Sequence, residues 1–407
     1  MSAADYKELS DCVACGGSNL VTTLDLGKQP LANDFLEPGE YLDLYPLKLL
    51  RCGDCFHSQL SIAVDPSRLF KNYSYVSGTS ETLSGYFENF QRALITRFGS
   101  KRKMLDIGSN DGSFLEKFSQ SDWLTIGIDP AVNLIPESVS RGVTTIPAFF
   151  DDKIFSLLAN DFDVIVAMNV FAHTQNPLAI LNGIEQCLSS SGRAFIQTSQ
   201  ANMFTTGQFD TVYHEHISFF SVRSMKALLE RANLSLVDVS IVPIHGKSYL
   251  WEVQKSETNN SQLPREAEEA KFGLYDHKLY ADFATLAIKK SEEINILIRK
   301  YRDKNFKIVS YGAAAKGNTF INFADITFDY ILDDTPQKIG RMAPAGGCIV
   351  SHPSILESLT GPLLVVIPAW NFEQEIIMKI RSLRKNLDDV FLTYFPETRI
   401  EEANKNH

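Results

Sequence analysis

One short stretch constrains the fold of this chain more than any other, because it joins an apolar strand, a glycine turn and a helix pattern without interruption. Lys103–Ile107 is predicted to form a buried strand, and Gly108 and Gly112 bracket the turn. Ser113–Phe118 then carries apolar residues at helical spacing. Such a corner holds a phosphate or a cofactor in doubly wound α/β domains, although an ordinary strand–turn–helix corner has the same pattern.

The acid at the end of this strand narrows the choice of ligand. A dinucleotide loop has the pattern G-x-G-x-x-G, whereas here Asn110 replaces the middle glycine and Asp106 ends the strand. A carboxylate there would repel a pyrophosphate but attract the ammonium and sulfonium of S-adenosylmethionine. Asp129 ends the next predicted strand, Trp123–Ile128, where an acid can hold a ribose diol. The predicted S-adenosylmethionine contacts are Asp106, Gly108, Ser109, Asn110, Asp129, Pro130 and Asn169.

Two C-x-x-C pairs, Cys12–Cys15 and Cys52–Cys55, precede this corner. Two such knuckles supply four thiolates for a closed structural zinc site without an open position for a substrate, and a redox C-x-x-C is the lesser alternative. The segment between the knuckles is rich in turn residues, so we expect it to bury little and to draw its folding free energy from the metal. We expect His57, just beyond the second knuckle, to be a surface residue rather than a ligand.

The remaining pattern predicts two doubly wound α/β domains. Phe162–Val170 is a nearly continuous apolar run, as in a parallel strand buried on both faces. Lys307–Asn318 repeats the arrangement of a strand, a small-residue corner and a helix. We therefore predict a zinc-binding module at residues 1–70, an S-adenosylmethionine-binding Rossmann-like domain at 71–240 and a second Rossmann-like domain at 241–407.

Composition excludes several classes of protein. The chain has 407 residues, 44% of them hydrophobic, and a net charge of -10, which argues against general nucleic-acid binding. The first residues are polar and acidic, and no apolar run approaches the roughly 20 residues of a membrane span. Six cysteines in a chain of this length do not indicate a disulfide framework. We expect a cytoplasmic protein that is not associated with membranes.

The densest group of titratable side chains is Tyr213-His214-Glu215-His216. An imidazole can remove a carbon-bound proton that a neighbouring carbonyl has made acidic. A strand would place the two histidines on one face, whereas a turn could gather all four side chains. A metal site lacks a visible third ligand here, and a polar corner that ties two domains together is a further alternative.

Three other places carry candidate residues. Tyr73 and Tyr75 could line a polar cleft or pack against the zinc module. Asn169 and His173 follow a predicted strand, at the sheet edge where ligands of parallel sheets lie. The backbone amides at the second corner, together with Lys316, could receive a diphosphate, although a purely structural corner is nearly as consistent with the pattern.

Four motifs occur in a fixed order: the two cysteine knuckles, Asp106–Gly112, Tyr213–His216 and Tyr311–Asn318. In this order they resemble the nucleotide-sugar C-3′-methyltransferases of branched deoxysugar synthesis, and the resemblance covers nearly the whole chain. It implies that the first module binds structural zinc, the second binds S-adenosylmethionine and the third holds the nucleotide of a nucleotide-sugar.

The resemblance also implies roles for individual residues. His216 would be the base, surrounded by Tyr213, Glu215 and Tyr75, and His173 joins these catalytic candidates. The candidate substrate contacts are His214, Lys247, Lys316 and Asn318.

A base at C-3′ of a 4-keto sugar would give an enolate, which a hydrogen-bond donor stabilises and which then takes the methyl group. Many relatives have H-G-G-S-L-R where this chain has residues 245–250, with a lysine at 247, so a dTDP- and a GDP-linked sugar both remain open. An O- or N-methyltransferase and a non-catalytic zinc- and nucleotide-binding scaffold are the alternative functions. The sequence does not set the oligomeric state, and a monomer is one alternative.

Overall fold

The computed structural model describes residues 5–71, 76–79, 81–199, 203–244, 247–255, 263–384 and 388–402. The chain divides into two compact units. Unit 1 comprises Met1–Val21, Leu50–Ala201 and Glu215–Tyr275, and unit 2 comprises Thr22–Leu49, Asn202–His214 and Asp276–His407. Each unit draws on three chain segments, so domain boundaries at residues 70 and 240 remain predictions.

The strands and helices alternate along most of the described chain. The strands are β1 (Tyr6–Glu8), β2 (Leu20–Gln29), β3 (Tyr45–Cys52), β4 (Ser58–Leu60), β5 (Ile62–Val64), β6 (Lys103–Ile107), β7 (Leu124–Ile128), β8 (Thr145–Ile146), β9 (Phe162–Met168), β10 (Leu188–Ser199), β11 (Ser218–Phe219), β12 (Leu234–Val242), β13 (Ser248–Lys255), β14 (Lys307–Tyr311), β15 (Tyr330–Leu332), β16 (Val350–Ser351), β17 (Leu363–Val366), β18 (Val390–Thr393) and β19 (Arg399–Glu402). The α-helices are α1 (Pro66–Phe70), α2 (Glu81–Phe98), α3 (Ile135–Ser140), α4 (Asp152–Phe155), α5 (Pro177–Cys187), α6 (Met203–Thr206), α7 (Val222–Arg231), α8 (Pro264–Lys271), α9 (His277–Arg302), α10 (Ala315–Phe323) and α11 (Glu373–Leu383). Short 3-10 helices lie at Ser77–Thr79, Leu115–Phe118, Val132–Leu134, Phe171–His173, Phe209–Thr211, Pro353–Glu357 and Trp370–Phe372.

A seven-stranded sheet forms the centre of unit 1, in the order β12-β13-β10-β9-β6-β7-β8. The strands from β10 to β8 pair in parallel, whereas β13 and β12 are antiparallel. Val164, Ile165 and Val166 of β9 are fully buried, as expected for a strand covered on both faces. The strand order reverses at β6, because β7 lies on one side of it and β9 on the other. Ligands of such sheets bind at this switch point, so they are expected at the carboxyl ends of β6 and β9.

The helix expected directly after the first corner is only a four-residue 3-10 turn, Leu115–Phe118. The carbonyl of Phe118 accepts the Ser121 backbone N–H at 2.8 Å and the Ser121 hydroxyl at 2.7 Å, which ends the turn. Phe114, Leu115 and Phe118 are all buried, so the apolar pattern that predicted a helix face instead fills a core around a tight turn.

The segment between the two cysteine knuckles contains strands β2 and β3 rather than turns alone. Leu24 and Leu26 of β2 are buried, as are Leu47 and Leu49 of β3. The expectation that this segment buries little is therefore wrong, because the period of two along each strand sends these leucines to one face.

Unit 2 contains a six-stranded sheet in the order β16-β15-β14-β17-β18-β19, parallel except for β19. The 26-residue helix α9 begins at the capping side chain of Asp276 and buries a helical stripe that includes Phe283, Ala287 and Ile294. Together the two sheets confirm the predicted α/β class with two Rossmann-like sheets. Among the helices in the described ranges, none combines the length and apolarity that spanning a membrane requires.

Candidate active site and metal centre

The loop after β6 folds back onto the end of β7. The backbone N–H groups of Gly108 and Ser109 donate to the Ile128 carbonyl at 2.8 and 3.2 Å, and the Asn110 N–H donates to Oδ2 of Asp129 at 2.8 Å. Gly108 has a φ of +76° and Asn110 a φ of +52°, a region that glycine and asparagine enter most easily. This local conformation brings the two predicted acids to one edge of the sheet.

Asp106 is the most unusual group at this edge. Its residue is 3% exposed, and within the described part of the chain nothing donates a hydrogen bond to its carboxylate. Burial, with the neighbouring Asp129 carboxylate as a second cause, raises the pKa of Asp106 to about 8. A buried acid without a donor fits a cationic ligand group, such as the ammonium of S-adenosylmethionine.

Close packing against the Val170 side chain explains why a glycine follows this strand. A Cβ at Gly108 would lie 2.9 Å from Cβ of Val170, the residue after Asn169. Asn169 directly follows the neighbouring strand β9, has a φ of +56° and donates its N–H to the Gln197 carbonyl at 3.0 Å. The corner therefore packs so closely against Val170, just beyond the end of β9, that a side chain at residue 108 would not fit.

Asp129 is fixed by two backbone donors. Oδ1 accepts the Ala131 N–H and Oδ2 accepts the Asn110 N–H, both at 2.8 Å. Burial raises the pKa of this carboxyl, and the two hydrogen bonds oppose the rise. Each oxygen retains acceptor capacity for a ribose hydroxyl. Pro130 is half-buried beside it.

Sequence reasoning missed the contacts that brace this loop. Arg141 pairs with the fully buried Asp111 at 3.1 Å and with Glu116 at 2.7 Å. The Ser77 N–H donates to Oδ1 of Asn110 at 2.9 Å, and the Gly78 N–H donates to Oδ2 of Asp111 at 3.1 Å. Asn110 and Asp111 stood in the predicted loop, but nothing in the local pattern pointed to their distant partners.

His216 lies in a stack of rings in unit 1. Its ring centroid is 5.2 Å from that of His173, which lies 5.8 Å from the Phe70 ring on a nearly parallel plane. His216 is 8% exposed, and Phe219 contacts it edge-on at 6.1 Å. His173 ends the 3-10 helix that follows β9, so the structure brings both histidines to the sheet edge that carries Asn169.

Residues 213–215 form a turn, not a strand. The division of the chain falls inside this group, because Tyr213 and His214 belong to unit 2 and Glu215 and His216 to unit 1. Glu215 is buried and Tyr213 is half-buried. Tyr73 and Tyr75 lie outside the described residues, so their roles remain predictions.

His214 is enclosed within unit 2. Its Nε2 donates to the Pro46 carbonyl at 3.3 Å, and its ring meets Tyr45 edge-on at 5.8 Å. Burial lowers the pKa of His214 to about 4, so the ring is neutral near pH 7. Its role as a substrate contact remains a prediction.

The second corner, after β14, places Lys316 in the first turn of α10. Its ammonium lies 5.7 Å from the Trp370 ring centroid and, among the described residues, has no carboxylate within ion-pair distance. Burial lowers the pKa of Lys316, and the Asp210 carboxylate opposes this. Asp210 itself is fully buried and accepts the Trp370 indole N–H at 3.1 Å. Sequence reasoning did not find Trp370, which follows β17.

The other two substrate candidates differ in exposure. Asn318 is 2% exposed and donates from Nδ2 to the Ala32 carbonyl at 2.8 Å. Lys247 is exposed with a φ of +82°. Their proposed contacts with a substrate remain predictions.

The four knuckle cysteines form one cluster. Their sulfur atoms all lie within 4.8 Å of one another, and the Cys12–Cys55 and Cys15–Cys52 pairs are each 3.6 Å apart. A tetrahedral zinc ion with Zn–S bonds of about 2.3 Å needs sulfurs about 3.8 Å apart. The donor set therefore fits structural zinc, as predicted.

The protonation of the cluster also fits a cation. The neighbouring Cys55 thiol, which donates to the Cys12 sulfur, holds the pKa of Cys12 at about 6, and burial raises the pKa of Cys52 to about 11. Without a metal the cluster carries one thiolate easily and resists more, whereas zinc binding would displace the remaining protons.

His57 is not a surface residue, so that expectation is wrong. It is fully buried, its Nε2 lies 3.3 Å from the Ser218 hydroxyl, and its ring packs 4.7 Å from the Phe220 ring. Burial lowers its pKa to about 3. The local sequence gave no sign of this, because Ser218 and Phe220 are distant in the chain.

Three family models match consecutive parts of the chain. A zinc binding domain matches residues 12–70, a methyltransferase domain matches residues 81–239, and a C-methyltransferase C-terminal domain matches residues 243–396. Among curated proteins, the C-methyltransferase NovU of Streptomyces niveus is 27% identical over 417 residues and covers 98% of both chains. The tRNA U34 carboxymethyltransferase of Dichelobacter nodosus is 28% identical over 165 residues, which cover 36% of this chain and 50% of that protein.

Solved methyltransferase structures match part of the chain. Magnesium protoporphyrin IX methyltransferase from Synechocystis, with bound S-adenosylmethionine, is 12% identical with a TM-score of 0.34 and covers 42% of this chain and 79% of its own. The 1,6-didemethyltoxoflavin-N1-methyltransferase from Burkholderia thailandensis is 18% identical with a TM-score of 0.35 and covers 44% and 81%. The successive domain matches and the relative that spans the whole chain confirm S-adenosylmethionine and zinc as cofactors. The chain belongs to the S-adenosylmethionine-dependent C-methyltransferases with a zinc-binding amino-terminal module.

Proposed function

We propose that this enzyme methylates C-3′ of a 4-keto-deoxy nucleotide-sugar, linked to dTDP or GDP, after removing the C-3′ proton. The observation that supports this most is the pair of stacked imidazoles, His173 and His216, at the carboxyl edge of the sheet that carries Asp106 and Asp129. Carbon methylation needs a base as well as a methyl donor, and an imidazole is suited to that task near neutral pH. The full-length relative, itself a C-methyltransferase, supports methylation at carbon.

The residues of the chain divide the work. Asp106 and the loop amides hold the amino-acid part of S-adenosylmethionine, and Asp129 holds the ribose. When bound, that cofactor supplies an electrophilic methyl group. His216 takes the C-3′ proton, whose acidity comes from the adjacent ketone. Tyr213 donates a hydrogen bond to the enolate oxygen, and Tyr75 is assigned the same role.

His173 and Glu215 are assigned supporting roles. The His173 ring restricts the His216 ring by stacking at 5.2 Å and so limits the directions from which His216 can take a proton. Glu215, which is 4% exposed, would orient the base or bind a sugar hydroxyl. Lys316 and the amides that begin α10 would receive the diphosphate of the nucleotide.

Proton exchange tests the base directly. With a 4-keto nucleotide-sugar and S-adenosylhomocysteine in deuterated water, the wild-type chain should exchange the C-3′ hydrogen, and His216→Asn should abolish both exchange and methylation. Normal exchange in His216→Asn would reject the assignment. His352→Asn, at an exposed histidine, is the matched control and should behave as wild type.

Substrate comparison separates the proposal from its alternatives. Only a C-methyltransferase of this type requires the ketone, so a reduced 4-hydroxy sugar should not be methylated. Methylation of the 4-hydroxy sugar would indicate an O-methyltransferase. Tight S-adenosylmethionine binding without turnover of any 4-keto nucleotide-sugar would favour a scaffold.

A further inference from the structure

Strand β4 lies beside the chain that leads away from His216. Its three residues, Ser58–Leu60, are all buried. It pairs antiparallel with β11, with Gln59 opposite Ser218, and the Leu60 N–H donates to the Ile217 carbonyl at 2.9 Å. Since β11 begins two residues after His216, β4 fixes the backbone that immediately follows this histidine.

The same strand is tied to both cysteine knuckles. Oε1 of Gln59 accepts the Val13 N–H at 2.8 Å, and Nε2 of Gln59 donates to the Asp11 carbonyl at 3.1 Å. These two bonds lie on either side of Cys12. The second knuckle closes when the Cys52 N–H donates to the His57 carbonyl at 2.8 Å, directly before β4. The backbone of β4 is therefore set by the same segments that supply the four sulfurs.

Side-chain packing adds two further connections. The His57 imidazole lies 3.3 Å from the Ser218 hydroxyl and packs on Phe220. Ile217, the residue directly after His216, packs in a small cluster with Leu9 and Ala63, against which Val13 of the first knuckle also packs. These contacts hold Ile217, Ser218 and Phe220, three residues of the segment that follows His216.

We propose that the zinc knuckles position His216 through β4, and that Gln59 and His57 are positioning residues for it. Catalytic side chains need to be held within about 0.5 Å of a productive geometry. A tetrahedral metal site is stiff, and fewer than ten residues separate each knuckle from a direct contact with Ser218 or Ile217. A zinc ion held by the four cysteines would thus fix the position of His216 through β4 without touching the substrate. The effect on catalysis rests on the proposed role of His216 as the base, whereas the structural connection from the knuckles to His216 does not depend on that role.

The experiment combines NMR with kinetics. Histidine is labelled at Cε1 with 13C, and the His216 signal is assigned by its loss in His216→Asn. Gln59→Met keeps the side-chain length but removes both hydrogen bonds, and His57→Phe keeps a ring against Phe220 but loses the contact with Ser218. His57→Gln restores a hydrogen-bonding group near the position of Nε2. Trp123→Phe is the matched control, because it removes a partly buried 2.9 Å hydrogen bond to the Gly99 carbonyl, before β7 and far from the carboxyl ends of the strands.

The expected result is a moved His216 signal in Gln59→Met and His57→Phe, with the signals of the exposed His277 and His352 unchanged. The kcat of Gln59→Met and of His57→Phe should fall at least tenfold, while the KM for S-adenosylmethionine stays within twofold. His57→Gln should recover most of the kcat. Chelation of zinc from the wild-type chain should move the same signal. If Gln59→Met does not fold, His57→Phe and chelation still decide the question.

An unmoved His216 signal in both variants, or an equal shift in Trp123→Phe, would overturn the proposal. The two proposals fail separately, because normal C-3′ exchange in His216→Asn would reject the base while a moved signal would still establish the connection from zinc to His216.

Discussion

The close packing of the cofactor loop against the end of β9 makes Gly108→Ala a quantitative test of the site. Two terms contribute to the expected cost. At a φ of +76°, an alanine costs about 1 kcal/mol relative to glycine. Its Cβ would also lie 2.9–3.1 Å from three carbons of Val170. Overpacking of this kind costs about 1–3 kcal/mol. We therefore expect Gly108→Ala to lower the free energy of unfolding by about 2–4 kcal/mol in total.

The matched control is Gly142→Ala. Gly142 has a φ of +74° in the same unit, but nothing lies within 4 Å of the position that a Cβ would take there. Gly142→Ala should therefore lower the free energy of unfolding only by the cost of the positive φ, about 1 kcal/mol. The difference between the two variants, measured by urea unfolding, isolates the contact with Val170.

Calorimetry should separate the variants again. Gly108→Ala displaces the loop whose amides border Asp129, so its affinity for S-adenosylmethionine should fall at least tenfold, whereas Gly142→Ala should stay within twofold of wild type. Val170→Ala in the Gly108→Ala background should recover part of both losses. Equal destabilisation by the two alanines, or an unchanged affinity in Gly108→Ala, would refute the reasoning.

Three further predictions concern charge and metal. Burial raises the pKa of Asp106 to about 8, and the ammonium of the cofactor binds the ionised carboxylate more tightly than the protonated one. The affinity for S-adenosylmethionine should therefore rise by up to tenfold per pH unit between pH 6 and about pH 7.5. Calorimetry should show no such slope in Asp106→Asn, nor for 5′-methylthioadenosine, which lacks the amino-acid part; a slope in either case would contradict this. Cys12→Ser should lose the zinc measured by elemental analysis and should unfold at a lower temperature, whereas Cys348→Ser, at a cysteine outside the cluster, should retain the metal. Lys316→Met should weaken nucleoside diphosphate binding roughly tenfold or more, which is the value of one charge-assisted hydrogen bond, and should leave the affinity for S-adenosylmethionine unchanged. Lys379→Met, at a lysine already paired with Asp334, should change neither affinity.

The spacing of neighbouring residues determined those features of the protein that span only a few positions of the chain. The cysteine knuckles, the glycine corner and the acids that end β6 and β7 each depend on neighbours within a few residues, so their chemistry could be predicted from the chain alone. The apolar run of β9 likewise predicted a strand buried on both faces. Where the same local pattern served a different packing, as at Leu115–Phe118, the prediction of a helix failed.

Tertiary structure decided the contacts that join distant segments. The burial of His57, the stacking of His173 on His216 and the pairing of Arg141 with Asp111 each join segments that are 30 or more residues apart. No periodicity within either partner encodes such a contact, because it depends on how strands are ordered in a sheet and which loops meet at its edge. The sequence by itself thus determined which groups can bind the cofactor and the metal. Only the folded chain decided which side chains hold those groups in place.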